Sequence, residues 1–251
     1  ERNWRSTRGV CCGWAMRVCV CGSSSSSTPK AYLDASKELG RLLAERGHIC
    51  VNGGGKTGCM GALNDGCIHA GGTTIGVIHE MFVVDGEEHT GLTQMIVARG
   101  DCLAERKKLL VEGADCVIAL PGGVGTWDEL WEVVAEVSLG FKNIPIVVIN
   151  TNGFYDSFKA MLAKAMEDKL IYKGPETLVR FESSVVAALN FAERMHVANK
   201  DGLSGKTSSS GRKEHRTTKA EQGTAYPFVA GLLFGTITLL LVQSKLGLLR
   251  V

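Results

Sequence analysis

Short apolar runs alternate with longer amphipathic segments along most of this chain, and this alternation constrains the fold more than any other feature. Strands are predicted for the runs 17–21, 48–51, 74–78, 93–97, 115–120, 145–150 and 177–181. Helices are predicted for the segments 31–46, 60–70, 102–112, 127–139, 154–167 and 183–196, and a polar loop for 79–92. Such alternation is typical of a parallel sheet. The sequence therefore predicts an α/β domain over residues 16–198, with a Rossmann-like parallel sheet and helices on both faces.

The two ends of the chain differ from this pattern. Residues 1–15 are basic and irregular, and Met16 is a plausible first residue of the domain. Residues 199–225 are rich in Ser, Thr, Gly, Lys and Arg, which predicts a disordered polar linker. Residues 226–242 carry no charge, and the stretch extends to 244. We expect a C-terminal hydrophobic helix there.

The length of this apolar segment decides how it is interpreted. A helix needs about 17 to 20 apolar residues to cross a bilayer, so residues 226–244 are just sufficient. The alternative is a helix that packs on the globular domain. One side of such a helix would face water and would need polar residues, and the segment provides only Thr236 and Thr238. The hypothesis is a tail anchor that tethers a cytoplasmic catalytic domain to a membrane.

Composition excludes several kinds of partner. The formal net charge is only +2 and no basic stripe is interleaved with aromatic residues, so nucleic acid is not an expected ligand. The nine cysteines include no CxxC pair, which argues against a zinc site. Four of them, Cys19, Cys21, Cys50 and Cys116, fall in predicted strands as small apolar residues. We expect reduced thiols and neither a metal nor a cofactor.

Three predicted strands run into turns that are rich in Gly or Ser, at 22–28, 53–61 and 122–126. In a parallel sheet these turns share the edge at the carboxyl ends of the strands, where ligands bind. Glycine lets backbone N–H groups face an anion, and the next helix N-terminus adds a favourable field. Any one of them is equally well explained as a tight turn. Together they indicate a ligand that bears phosphate.

The middle turn matches two familiar motifs only weakly. Gly53, Gly55 and Gly58 fit the spacing of a dinucleotide-binding loop, with Glu80 at the distance of a ribose-binding acid. However, that loop normally follows the first strand, and this one follows the second. The P-loop pattern also fails, because its first glycine would fall at Cys50.

The third turn is far more specific. Pro121 ends a strand, and Gly122, Gly123 and Gly125 leave no side chain between the backbone and a ligand. Thr126 is a candidate helix cap whose hydroxyl can also meet a phosphate. Glu129 is predicted in the first helical turn, where it either complements the helix dipole or enters the cleft as a catalytic carboxylate. The neighbouring Asp128 is better explained as a capping residue.

These residues carry a resemblance to a known family. The segment Pro121-Gly-Gly-Val-Gly-Thr-Trp-Asp-Glu129 resembles the PGGxGTxxE signature of the Lonely Guy family, and Arg106-Lys107 resembles its Arg-Lys pair. The segments 20–24 and 53–61 are similar to its other two loops. Cys59 and His79 depart from the family pattern, in which Leu and Pro are usual. The resemblance covers residues 17–194.

The family resemblance implies an activity and a set of site residues. The activity is cleavage of the bond between an N6-modified adenine and ribose 5-phosphate by water, as in cytokinin riboside 5′-monophosphate phosphoribohydrolases. Breaking this bond develops oxocarbenium character, which a carboxylate stabilises, and a fixed cation balances the phosphate. Glu129 and Arg106 are the expected catalytic residues. The expected substrate-binding residues are Gly22, Ser23, Gly54, Gly55, Glu88, Lys107, Gly122, Gly123, Gly125 and Thr126.

Several questions stay open at this stage. The family uses an acid upstream of the Arg-Lys pair, and both Glu87 and Glu88 are candidates. The resemblance implies a dimer or a larger oligomer, and an apolar face of the 127–139 helix, formed by Leu130, Trp131, Val134 and Val137, also hints at a homodimer. Packing on the sheet explains that face equally well. The preferred base is not predicted.

There are two alternatives to hydrolysis, a decarboxylase and a binding protein without enzymatic activity. A pyridoxal-dependent decarboxylase needs a Schiff-base lysine, and Lys56 is the only lysine in a Gly-rich loop, with no partner for the cofactor ring. This alternative is rejected. A non-hydrolytic nucleotide or molybdenum-cofactor carrier would share the loops but would not require a carboxylate beside an anionic ligand. The presence of both Arg106 and Glu129 favours the enzyme.

Overall fold

A parallel β-sheet forms the centre of the molecule in the computed structural model, which describes residues 15–207. Its strands are β1 (Arg17–Cys21), β2 (Ile49–Asn52), β3 (Thr73–His79), β4 (Gln94–Ala98), β5 (Cys116–Ala119), β6 (Ile146–Ile149) and β7 (Arg180–Glu182). The helices are α1 (Lys30–Glu45), α2 (Gly58–His69), α3 (Glu80–Val84), α4 (Ala104–Val111), α5 (Val124–Leu139), α6 (Asp156–Glu167), α7 (Pro175–Leu178) and α8 (Val185–Thr207). The predicted α/β class is confirmed.

The strand order, β4-β3-β2-β1-β5-β6-β7, places β1 at the middle of the sheet. Val18 pairs with Cys50 of β2 on one side and with Cys116 of β5 on the other. The chain leaves β1 in one direction for β2 to β4, and then returns to the other side for β5 to β7. In sheets of this kind ligands bind where the order reverses, which here is above the carboxyl ends of β1 and β5.

Helices cover both faces of the sheet because alternate residues of its central strands point to opposite sides. Val18 and Val20 belong to one buried cluster, which α1, α2 and α8 complete. Cys19 and Cys21 belong to a second cluster on the other face, with residues from α4 to α7. The strand cysteines are buried free thiols, as their apolar surroundings predict.

Helices α1 and α2 pack unusually closely because glycines lie at their crossing. A Cβ built on Gly40 would lie 2.0 Å from the carbonyl oxygen of Leu63, and one on Gly66 would lie 2.1 Å from that of Lys37. No side chain fits in either place. The two helices therefore approach with backbone against backbone, which fixes α2 on the sheet beneath the second Gly-rich turn.

An aromatic cluster joins α5 to α6 beside the third Gly-rich turn. Trp127 and Trp131 both contact Phe158, with ring centroids 5.7 and 5.3 Å apart, and the Trp131 ring is stacked on it. Tyr155 meets the same ring at 5.6 Å, and its hydroxyl donates a hydrogen bond to the Leu120 carbonyl at 2.7 Å. The cluster thus supports the residue that precedes Pro121.

Three predicted elements differ from the structure, in addition to the last helix. The polar loop 79–92 contains the helix α3, whose N-terminus the His79 ring caps by accepting a hydrogen bond from Met81 N. The strand predicted at 177–181 is shortened to β7, since Pro175 starts α7 in its place. Helix α5 begins at Val124 and so includes Gly125 and Thr126.

The last helix is longer than predicted. It continues to Thr207, into the segment assigned to a polar linker, and Asn199 Nδ2 donates to the Asn143 carbonyl at 3.3 Å. Composition alone had suggested disorder there. The rest of the linker, the apolar segment 226–244 and residues 1–14 lie outside the described residues. Between residues 15 and 207, none of the helices combines the length and the apolar character that crossing a bilayer requires.

The apolar face of α5 does not point to a partner. Leu130 and Val134 are buried in the core of their own chain, and Trp131 and Val137 pack against the same cluster. The sequence-based hint of a dimer at this face therefore has an intramolecular explanation. Exposed apolar side chains lie instead at the end of α5 and beyond α6, at Leu139, Phe141, Leu170 and Tyr172.

Candidate active site

The three Gly-rich turns lie together above the carboxyl ends of β1, β2 and β5. Ser23 N donates to the Pro121 carbonyl at 3.1 Å, which joins the first turn to the third. Met60 N donates to the Ser23 carbonyl at 3.2 Å, and Thr57 Oγ1 donates to that of Ser24 at 2.6 Å, which joins the second turn to the first. A single surface of backbone groups results.

The first two turns need their glycines for close approach. A Cβ on Gly22 would lie 3.0 Å from Cys59 Cβ. Gly54 has a φ of +73°, and Gly58 has a φ of +64° with the position of its Cβ only 2.5 Å from the Ser23 carbonyl. The Ser23 hydroxyl lies 2.8 Å from that of Thr28 and accepts from Ser25 N at 3.1 Å, so it shapes its own turn.

The glycines of the third turn divide into two kinds. A Cβ on Gly122 would collide with Thr126 Oγ1 at 2.1 Å, so this glycine is needed for packing. Gly123 and Gly125 are exposed, and a Cβ at either position would meet nothing within 4 Å. Their small size is therefore not required by the fold, and it leaves the backbone at the start of α5 open to a ligand.

Thr126 and Glu129 do not occupy the helix positions that the sequence suggested. The N-cap residue of α5 is Gly123, so Thr126 is not a cap; it lies buried in the first turn, beneath Gly122. Glu129 falls in the second turn rather than the first, because the helix starts earlier than predicted. The dipole explanation for Glu129 is correspondingly weaker, since that field fades beyond the first turn.

Arg106 and Glu129 form an ion pair at this edge of the sheet. Arg106 Nη1 lies 2.7 Å from Glu129 Oε1, and the two side chains are only 10% and 12% exposed. Arg106 Nε also donates to the Val77 carbonyl at 3.1 Å. A Cβ on Gly53 would lie 2.6 Å from Arg106 Nη2, so that glycine makes room for the guanidinium. The fold holds a cation and a carboxylate together in a poorly hydrated place.

A residue that no sequence motif singles out, Cys21, lies next to Glu129. The Cys21 thiol is buried at the end of β1, and its pKa is raised well above the ordinary value by the neighbouring Cys19 thiol, by burial and by the Glu129 carboxylate. Cys21 therefore stays a neutral thiol next to Glu129. No motif could have revealed this contact, because a cysteine in a buried strand is common.

The structure distinguishes the two candidate acids upstream. Residues Gly55 and Glu88 form an antiparallel bridge, and the Glu88 Oε2 atom is buried with no hydrogen-bond partner among the described residues. Glu87 is exposed, and its carboxylate lies 3.9 Å from Lys56 Nζ. Glu88 is thus the acid that is held against the second Gly-rich turn.

Lys107, expected as a substrate-binding residue, is engaged elsewhere. Its ammonium lies 3.0 Å from Asp128 Oδ1 and 2.6 Å from Glu132 Oε2, and both acids are on α5. These contacts, led by the hydrogen bond to Glu132, raise the pKa of Lys107. Asp128, expected as a capping residue, is accordingly an ion-pair partner that ties α4 to α5. Within residues 15–207, no group of three or more His, Cys, Asp and Glu side chains is arranged to hold a metal ion.

One family model and several curated proteins match this chain. The model of a family described as "Possible lysine decarboxylase" matches residues 60–191. A probable cytokinin riboside 5′-monophosphate phosphoribohydrolase of Oryza sativa subsp. japonica, LOGL9, is 39% identical over 155 residues, which cover 62% of this chain and 67% of the relative. The phosphoribohydrolase LOG7 of Arabidopsis thaliana is 38% identical over 156 residues, covering 62% and 70%.

Solved structures share the fold at lower identity. The protein TM1055 superposes with a TM-score of 0.56 at 26% identity, covering 71% of this chain and 99% of its own. The molybdenum cofactor carrier protein of Chlamydomonas reinhardtii gives 0.55 at 24% identity, covering 73% and 99%. The molybdenum cofactor binding protein of Rippkaea orientalis gives 0.53 at 21%, covering 75% and 97%. At such identities the similarity to the two cofactor-binding proteins shows a common fold alone, and no ligand is inferred from it.

Proposed function

The chain belongs to the Lonely Guy family, whose model bears the description of a possible lysine decarboxylase, and we propose that it hydrolyses nucleoside 5′-monophosphates to a free base and ribose 5-phosphate. The curated relatives are named for this reaction on cytokinin riboside monophosphates. We extend to this chain the same substrate class, an adenosine 5′-monophosphate that carries an N6 substituent.

The observation that carries this proposal is the buried Arg106–Glu129 pair beside three Gly-rich turns. In the proposed reaction the phosphate lies against the open backbone at Gly123 and Gly125, where the α5 N-terminus favours negative charge. This orientation brings the sugar towards Glu129. A carboxylate there stabilises the oxocarbenium character that develops as the bond to the base breaks, or activates the attacking water.

Arg106 has two proposed roles in this arrangement. Its guanidinium holds the Glu129 carboxylate in a fixed orientation, and it offers further N–H donors to a phosphate oxygen. Glu88 is proposed to bind the ribose hydroxyls, because it lies against the second turn with a carboxylate oxygen that has no partner within residues 15–207. Lys107, paired with Asp128 and Glu132, is proposed to support the catalytic helix through those contacts.

The test is direct product analysis. The full chain is incubated with AMP, N6-isopentenyladenosine monophosphate and a panel of other nucleoside monophosphates, and free base and ribose 5-phosphate are measured. We expect release of both products at equal rates, with the N6-modified substrate preferred. Tight binding of a nucleotide without release of base would instead assign the chain to the non-hydrolytic carriers.

Two further features are proposed for the whole protein. The first is a homodimer, which the family resemblance implies and which the exposed Leu139, Phe141, Leu170 and Tyr172 make physically reasonable. Lys173 Nζ donates to the Val137 carbonyl at 2.8 Å, which brings the loop of Leu170 and Tyr172 to the end of α5. The second is a membrane tether through residues 226–244, which leaves the catalytic domain in the cytoplasm.

A further inference from the structure

Two buried amides lie beneath the second Gly-rich turn. Asn52, the last residue of β2, and Asn64 of α2 are both fully buried, and Asn52 Nδ2 donates to Asn64 Oδ1 at 2.7 Å. Asn52 Oδ1 in turn accepts from Gly54 N at 2.8 Å, and Asn64 Nδ2 reaches the Gly55 carbonyl at 3.4 Å. A buried amide is costly unless it is hydrogen-bonded. This pair therefore fixes the conformation of Gly54 and Gly55.

The upper side of the same turn holds the segment that carries Glu88. His89 N donates to the Gly54 carbonyl at 2.8 Å, and Lys56 N donates to the Glu87 carbonyl at 3.0 Å. These two bonds flank the bridge between Gly55 and Glu88. Helix α3, which precedes this segment, has no buried residue. The position of Glu88 consequently depends on its contacts with the turn.

Asp65, the next residue of α2, contacts the same segment through His89. Asp65 Oδ1 lies 3.1 Å from His89 Nε2, and Gly91 N lies 3.1 Å from His89 Nδ1. A backbone N–H can only donate, so Nδ1 accepts and the ring proton lies on Nε2, directed at Asp65. Adjacent residues of one helix thus hold the turn below Glu88 and the residue after it.

We propose that α2 positions the Glu88 carboxylate, with Asn64 fixing the Gly54–Gly55 turn and Asp65 fixing His89. This inference rests on the proposed hydrolytic function, in which Glu88 binds the ribose. Asn64 and Asp65 are positioning residues that act through Glu88. The close crossing of α1 and α2 at Gly40 and Gly66 gives them a rigid base.

The experiment is a double-mutant cycle in the full chain. Asp65 is itself exposed, so Asp65→Ala leaves the core intact. We expect this change to lower kcat/KM about tenfold, equivalent to about 1.4 kcal/mol. In a Glu88→Gln background the same change is expected to lower kcat/KM less than about twofold, because the residue it acts through is already disabled. Equal losses in the two backgrounds, or no loss in either, would overturn the proposal.

Two matched variants sharpen this test. Asp65→Asn keeps an oxygen that accepts the His89 Nε2 proton, so it should restore most of the activity that Asp65→Ala loses. Asp34→Ala removes an exposed acid of α1 that pairs with Lys30, and it should leave kcat/KM unchanged. An Asp65→Asn enzyme as impaired as Asp65→Ala would contradict the role of the hydrogen bond.

A second readout separates this proposal from the proposed function. Amide hydrogen exchange at His89 reports its bond to Gly54 and needs no substrate. We expect Asp65→Ala and Asn64→Ala to speed this exchange about tenfold and Asp34→Ala to leave it unchanged. Unchanged exchange in all three variants would refute the positioning by α2. A wild-type chain that releases no base from any nucleotide would refute the function alone, whatever the exchange shows.

Discussion

At the scale of single residues, the pairing of Arg106 with Glu129 decides what either side chain can do. The two opposite charges lie 2.7 Å apart in a poorly hydrated place, and removal of one side chain leaves the other charge buried and uncompensated. A neutral glutamine at position 129 still accepts a hydrogen bond from Arg106, whereas alanine at position 106 leaves the Glu129 carboxylate without this partner. Function and stability are therefore best separated at Glu129.

We predict that Glu129→Gln lowers kcat at least about a hundredfold while the protein remains folded, because the glutamine still accepts a hydrogen bond from Arg106. The loss follows from the missing negative charge at the developing oxocarbenium. Steady-state release of ribose 5-phosphate measures it. Glu167→Gln, which neutralises an exposed acid on α6 that pairs with Lys164, is the control and should retain activity. Comparable rates for Glu129→Gln and the wild type would show that the nucleotide is cleaved by other groups.

Sequence reasoning selected both members of the Arg106–Glu129 pair but not all of its surroundings. Arg106 and Glu129 were found because their spacing to Pro121 matches a family pattern. The choice between Glu87 and Glu88 could not be made, because one residue of register decides which side chain is exposed, and only the bridge to Gly55 fixes that register. The same limit applies to Lys107, whose partners Asp128 and Glu132 face it across two helices.

At the scale of elements, buried strands and amphipathic helices were predicted well, and short helices were predicted poorly. The core strands β1 and β5 and the helices α1, α2 and α6 agree with the apolar patterns to within a few residues. Helices α3 and α7 contain five and four residues, too few to display a helical period. Helix α8 runs past residue 198, and Asn199 in this extension contacts Asn143, a contact that composition cannot show.

The crossing of α1 and α2 gives a stability prediction. Gly40→Ala places a methyl group 2.0 Å from the Leu63 carbonyl, so the helices must separate, at a cost of about 3 kcal/mol in the free energy of unfolding. Chemical denaturation measures this loss. Gly125→Ala is the matched control, since its methyl group meets nothing within 4 Å and alanine favours a helix. An equal effect of the two substitutions would show that the crossing is not tightly packed.

The docking of α8 should depend on pH through His196. This ring is buried, its Nδ1 lies 3.4 Å from Asp115 Oδ1, and its Nε2 has no partner within residues 15–207. Burial lowers the pKa of His196; Asp115 opposes that shift, and Lys200 and His48 add to it. His48 is itself hydrogen-bonded to Glu193 of α8. Charging His196 is therefore unfavourable in the folded protein.

Because the folded pKa of His196 lies below the unfolded one, the unfolded chain binds more protons once the pH falls below about 6.5. The free energy of unfolding should decline as the pH falls through that range, and His196 should impose no penalty above it. We predict that His196→Gln makes this decline shallower in urea titrations between pH 7 and 5. His69→Gln alters an exposed ring and should leave the slope unchanged. Parallel pH curves for His196→Gln and the wild type would show that His196 does not cause the decline in the free energy of unfolding.

At the scale of the whole molecule, assembly is the first question. We predict that light scattering of residues 15–207 gives twice the monomer mass, and that Phe141→Asp gives the monomer, because a charge in an apolar interface is costly. Lys159→Asp alters a charged residue on α6 and should remain dimeric. A monomer mass for the unsubstituted domain would remove the homodimer from the proposal.

The apolar tail poses the second question. We predict that the full chain sediments with membranes and that a version ending at Thr224 stays in the supernatant, because residues 226–244 just reach the length of a spanning helix. Fractionation with and without detergent measures this directly. A full chain that stays in the detergent-free supernatant would mean that the segment packs against protein.

The aromatic cluster beside the third turn has a practical consequence. The chain contains four tryptophans, Trp4, Trp14, Trp127 and Trp131, and the last two lie one turn apart on α5, against the ring of Phe158. With Trp4 and Trp14 replaced by phenylalanine, all indole fluorescence would come from the helix that begins at the Gly-rich motif. The emission spectrum would then report, without an added label, when a ligand reaches that helix.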